Sequence, residues 1–116
     1  MRHRRTGRIL GRRLNQRRAL LRSLMRAVVL SDRITTTESR AKELRPHLER
    51  LITKEKTGTL AHHRYVVSEI GIDAASRLKK EILPKIGGRS SGFVRITKRP
   101  NRRSDAAQMV TLGFVD

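Results

Sequence analysis

The first thirty-three residues carry eleven arginines, at positions 2, 4, 5, 8, 12, 13, 17, 18, 22, 26 and 33, against a single acid, Asp32. No other feature of the chain limits its fold and partners as much. That segment has a net charge of +10, in a chain of 116 residues whose total is +18. Collapsing so many cations into one small domain works against their mutual repulsion, and a polyanion removes that cost. Nucleic acid is the first candidate partner, and an anionic membrane surface is the second. Every cation in the segment is arginine, with no lysine. Arginine presents a planar fork of donors that can grip a phosphate with two bonds or stack on a base. A stretch selected for solubility would mix Lys and Glu, so this one reads as a contact surface.

The remaining charge is thinner. Residues 34–86 hold eleven basic and seven acidic side chains, and residues 87–116 hold six and two. The length suits one domain. Phe93, Phe114 and Tyr65 are the only aromatic residues, so the core must be a small aliphatic one. A deep small-molecule pocket is not expected. With no cysteine, disulfides and Cys-based zinc sites are excluded. No apolar run approaches the ~18 residues of a membrane span. Nor does an apolar stretch follow the basic opening as in a secretory signal. The chain reads as cytoplasmic.

Residues 1–13 form a basic arm, expected to be extended and to order on binding. From Leu14 to Leu30 the apolar residues Leu14, Leu21, Leu24, Met25 and Val28 fall on one helical stripe, with arginines on the other faces. Ile34–Thr37 is β-branched and reads as a strand. Thr37 is placed to cap a helix over 38–56, with Ala41, Leu44, Leu48, Leu51 and Ile52 inward, a kink at Pro46 and a stop at Gly58. Thr59 can cap a helix over 60–69, with Leu60, Val67 and Ile70 as core positions. Asp73 can cap another over 74–84, closed by Pro84 and Gly87–Gly88. Val94 and Ile96, then Val110, Leu112 and Phe114, alternate as in two strands of a hairpin. The prediction is a single α+β domain over 14–116, with about four helices on a three-stranded sheet.

No catalytic constellation is visible. His62 and His63 are adjacent and point about 100° apart on a helix, whereas ligands on one helix face stand three or four residues apart. They read as surface histidines. Glu38 with Lys42, and Glu49 with Lys54, read as surface pairs. No Gly-rich phosphate loop opens a helix, and no base is placed to activate Thr35, Thr36 or Thr37. No metal, cofactor or small-molecule substrate is expected, and the chain does not read as an enzyme. A second basic cluster, Arg95, Lys98, Arg99, Arg102 and Arg103, spans the hairpin turn, where it can lie along a phosphate backbone. The predicted nucleic-acid contacts are this cluster together with Arg2, His3, Arg4, Arg5, Arg8, Arg12, Arg13, Arg17, Arg18 and Arg22. A basic amphipathic first helix also fits a DNA groove or a lipid surface, although the lack of aromatic anchors argues against lipid.

Several blocks in order carry a more specific likeness. They are Met1-Arg-His-Arg, Gly7-Arg8-x-Leu10, Ile34-x-Thr36-Thr37, Ala41-Lys-Glu-Leu-Arg45, Leu51-Ile-Thr53, Gly92-Phe-x-Arg95-Ile-x-Lys98 and Asp105-Ala-x-x-Met109. Together they resemble the family of bacterial large-subunit ribosomal proteins that is seventeenth in the L series. Serines stand at 91 and 104 where that family commonly has glycine. The resemblance implies a cytoplasmic, ribosome-bound protein that contacts 23S rRNA on the side where the nascent peptide leaves. It also implies neighbours among the large-subunit proteins, including the thirty-second of the L series. The contacts it carries over are Arg2, His3, Arg4, Arg8, Arg12, Arg17, Arg95 and Lys98.

Overall fold

A computed structural model describes residues 7–86 and 88–115. Helix α1 spans Leu14–Ser31 and buries Leu21, Met25, Val28 and Val29. Gln16 turns back to accept from the Arg13 backbone N–H at 3.4 Å. The helix stops because Asp32 enters the left-handed region at φ 69°, a conformation that Asp tolerates better than most side chains. Leu14, assigned to the apolar stripe, is 51% exposed. It keeps the period but lies in the first turn, beyond the reach of the core.

Strand β1 (Arg33–Thr37) leads directly into α2 (Glu38–Thr57). Thr37 occupies the N-cap position, but its hydroxyl makes no capping bond. The Glu38 N–H is satisfied instead by the Gln108 carbonyl at 3.0 Å. Ala41, Leu44, Leu48, Leu51 and Ile52 are buried, and α2 continues through Pro46. Proline is tolerated there on an exposed face, where water can serve the carbonyl that it leaves without a donor. Gly58 closes the helix at φ 74°, as its place in the sequence predicts.

Helix α3 (Leu60–Ile70) is capped by Thr59, whose hydroxyl accepts from the His62 N–H at 3.3 Å. Its core residues are Val66 and Ile70, with Val67 packed at the margin. Leu60 is corrected to a surface position at 64% exposure. The next helix begins earlier than predicted. α4 (Ile72–Arg77) takes Gly71 as its N-cap, which puts Asp73 inside the first turn rather than at the cap. A π-helical turn, Leu78–Ile82, follows, and α5 (Leu83–Ile86) carries the chain past Pro84. The π turn widens the backbone just where the proline ring would press on the carbonyl four residues back, so Pro84 does not end the helix.

The sheet has the order β1-β3-β2, with β2 at Val94–Arg99, β3 at Met109–Phe114 and both pairings antiparallel. Ile34, Thr36, Val94, Ile96, Val110, Leu112 and Phe114 alternate toward the helices, and α2 packs against all three strands. The molecule is therefore α+β as predicted. Neither Ser91 nor Ser104 takes a positive φ; Gly92 at 70° and Ala106 at 57° do.

Glu49 is not a surface partner of Lys54. Its two carboxylate oxygens accept from the N–H groups of Phe93 (3.2 Å) and Val94 (3.0 Å), tying the start of β2 to α2. Lys54 instead lies over the Tyr65 ring, 3.6 Å from its centre. Hydrogen bonds to a charged acceptor are the stronger kind, and a partly buried N–H left without one is costly. Glu49→Ala is expected to destabilise the fold by about 2–4 kcal/mol, read as a lower urea midpoint with an unchanged slope. A wild-type midpoint would show that water replaces the carboxylate.

Candidate nucleic-acid interface

Two arginines of helix α1 already have carboxylate partners within the protein. Arg22 makes two bonds of 3.2 Å to Glu69 on α3. Arg26 makes two bonds of 2.6 Å to Asp73 and a third, 2.8 Å, to the Ile70 carbonyl. Gly71 makes this possible, since a Cβ there would lie 2.7 Å from the Arg26 guanidinium. These two arginines, expected to point outward, clamp α1 to α3 and α4. Arg13, Arg17 and Arg18, at the N-terminal end of the helix, make no ion pair among the described residues.

The clamp has an acid limit. Its hydrogen bonds from Arg26, aided by the Ala74 N–H, lower the Asp73 carboxyl from 3.8 to about 2. A depressed carboxylate contributes stability that is complete above its unfolded value and is lost as pH falls through the folded one. Stability should thus decline from about pH 4 towards pH 2. Asp73→Asn should flatten that part of an acid-unfolding curve while lowering stability at neutral pH. An acid limb of wild-type steepness would assign the loss to other carboxylates.

Arg2, His3, Arg4 and Arg5 lie outside the described residues. The rest of the arm is not simply extended. It turns at Leu10 and Gly11, both at positive φ, with the Arg12 N–H donating to the Ile9 carbonyl and its guanidinium to the Leu10 carbonyl. Arg8 is anchored on α2, its backbone N–H 3.2 Å and its guanidinium 3.8 Å from Glu43. Nearby, the Glu38 carboxyl is held below its usual range, first by the hydrogen bond from Lys42 and then by the fields of Lys98 and Arg8. The foot of the arm lies beside Ala107 and Gln108, just before the start of β3. Arg8, Thr37, Ser39, Lys42 and Gln108 surround an open cleft of about 500 Å³ between them.

At the hairpin turn, Arg102 closes on Asp105 with bonds of 3.0 and 2.7 Å, and Asp105 also accepts from the Ala107 N–H. The Arg102 pair holds the Asp105 carboxyl down to about 2. Arg102 therefore spends much of its charge shaping the loop. Arg95, Lys98, Arg99 and Arg103 are exposed and make no ion pair among the described residues. Among the described residues no group of three or more His, Cys, Asp or Glu is placed to hold a metal ion. His63 is not an idle surface residue. Its Nδ1 is 2.9 Å from Glu55, a carboxylate that is only 3% exposed. No helix among the described residues is long and apolar enough to cross a membrane.

A family model described as "Ribosomal protein L17" matches residues 20–115. The chain belongs to the ribosomal protein L17 family. It is 44% identical over 120 residues to "Large ribosomal subunit protein bL17" of Nautilia profundicola, covering 99% of this chain and 98% of that one. It is 43% identical over 116 residues to the protein of that name in Campylobacter lari, covering 99% of each. For the one in Gemmatimonas aurantiaca the identity is 41% over 116 residues, with 99% and 98% covered. These L17 relatives bear the name of a ribosomal protein, not of an enzyme. The L17 match to the folded part begins inside α1, while the relatives also align with nearly all of the Arg-rich opening.

Proposed function

We propose that the chain is a structural constituent of the large ribosomal subunit, bound to 23S rRNA near the peptide exit side. Residues 1–13 act as a basic arm on a domain formed by 14–116. The arm, the first turns of α1 and the β2–β3 hairpin make the contacts, and other large-subunit proteins, the thirty-second of the L series among them, lie alongside. The observation that carries this reading is the cleft that Arg8 of the arm and Lys42 of α2 share with Ala107 and Gln108 at the foot of β3, because it sets the root of the arm next to the hairpin. A single RNA surface can then engage both. Each phosphate contact releases counterions, so binding draws on charge and on the folded shape of the RNA more than on base sequence. Arg22 and Arg26 are tied to α3 and α4, which weakens the alternative of α1 reading a DNA groove.

Sedimentation of lysate through sucrose at moderate magnesium tests this. The tagged protein should travel with large subunits and whole ribosomes and withstand a high-salt wash. Migration as free protein or with chromosomal DNA would overturn the proposal.

A further inference from the structure

Among the described residues, no layer covers the side of the sheet turned away from α2. Its rows follow from the strand register. Arg33, Gly113 and Arg95 stand side by side, then Thr35, Thr111 and Thr97, then Thr37, Met109 and Arg99. Adjacent strands are about 4.8 Å apart, so Arg33 and Arg95 are rooted about 9–10 Å from each other, across a glycine. A Cβ at 113 would come within 2.8 Å of the Arg33 Cβ and 3.1 Å of the Asp32 carbonyl. Only glycine leaves that floor open. Lys85 of α5 reaches the same place, and the basin of about 470 Å³ that it lines with Arg33, Arg95 and Thr97 has an apolar wall of Ile82, Ile86 and Phe114 on its other side.

The charge of the basin is one-sided. Arg33, Lys85 and Arg95 make no ion pair among the described residues, and the one acid on the rim, Asp32, is engaged by Arg77 at 3.0 Å. Thr35 and Thr97 are exposed and Thr111 half-exposed, so a band of hydroxyls crosses all three strands. No aromatic side chain stands in any of these rows. Sheets that read single-stranded RNA do so by stacking bases on exposed aromatics, whereas the one aromatic lining this basin, Phe114, is partly buried against the core. Cations flanking an open floor, with hydroxyl donors behind them, suit a sugar–phosphate backbone.

We infer that the open sheet face is a second rRNA contact surface, in which Arg33, Lys85 and Arg95 bracket backbone phosphate over Gly113 and the threonine band donates to phosphate or ribose oxygens. The inference rests on the rRNA reading above, shares Arg95 with its hairpin contacts, and extends it to Arg33, Lys85 and the threonine band.

The test is binding of full-length protein to 23S rRNA across a salt series. Arg33→Gln with Lys85→Gln should lower the log–log salt slope by about 1.4–1.8. Thr97→Val should weaken binding about tenfold with the slope unchanged. Arg64→Gln with Lys79→Gln, which removes the same charge from exposed helical positions, should leave the slope as it is. In the wild-type protein, Lys85 should become protected from an amine-acylating reagent when rRNA binds, a reading that does not depend on a variant folding. A wild-type slope in the Arg33–Lys85 pair, an equal fall in the Arg64–Lys79 pair, or undiminished Lys85 labelling would each overturn the inference while the rRNA reading stands. Failure of the wild-type protein itself to bind 23S rRNA would overturn both.

Discussion

Leu44→Asp is expected to leave the chain without a cooperative fold. Leu44 is fully buried on α2, the helix that packs against α1, α3 and all three strands. Removing the leucine side chain alone costs about 2–5 kcal/mol. An ionised carboxylate in its place, with no partner, adds several more, and a protonated one still has to forgo its hydrogen bonds with water. A domain of this size has roughly 5–15 kcal/mol in hand, and a chain of charge +18 gives part of that back to self-repulsion. Far-UV circular dichroism should show lost helix and no sharp thermal transition. The same change at Leu14 or Leu60, which are 51% and 64% exposed, should shift stability by no more than about 0.5 kcal/mol. A folded Leu44→Asp protein would mean that α2 does not form the centre of the core.

That contrast shows what periodicity can and cannot reveal. The stripe on α2 was legible residue by residue because the helix is covered along most of its length. Leu14 and Leu60 keep the same period but sit in first turns that overhang their neighbours, and spacing carries no information about how far a neighbour extends. Local signals fared likewise. Thr59 and Gly58 act within a few residues of themselves, so their capping roles were readable. Asp73 looked like a cap by the same logic, yet its partner is Arg26, 47 residues away. Glu49 turned out to hold the N–H groups of Phe93 and Val94, 44 and 45 positions on. Long-range pairing of this kind is invisible without the fold. The π turn before Pro84 has no single-sequence signature either.

The candidate interface divides in the same way. The two basic clusters were legible as counts of charge, but the share of that charge already taken by the protein itself was not. Arg22 and Arg26 have their carboxylates 47 residues off, and Arg8 has its own 35 residues off. Only Arg102, three residues from Asp105, had its partner in plain view. The open sheet face needed the register most of all. Arg33, Gly113 and Arg95 form a row only once β3 is known to lie between β1 and β2.

Deleting residues 1–12 should separate affinity from stability. The deletion removes Arg2, Arg4, Arg5, Arg8 and Arg12 and spares Arg13, where α1 begins. Among the described residues, the tie from Arg8 to Glu43 is the main link between this segment and the domain. Exposed pairs of that kind contribute roughly 0–1 kcal/mol, so the melting transition should barely move. Binding to 23S rRNA should change far more. If all five guanidinium groups neutralise phosphates, the log–log salt slope falls by about 3.5–4.5. If Arg8 keeps Glu43 as its partner in the complex, four phosphate partners are at stake and the fall is about 2.8–3.6. The size of the change thus reports how many arm arginines exchange a solvent or protein partner for RNA. An unchanged slope would remove the arm from the interface and leave α1, the hairpin and the open sheet face as the anchors.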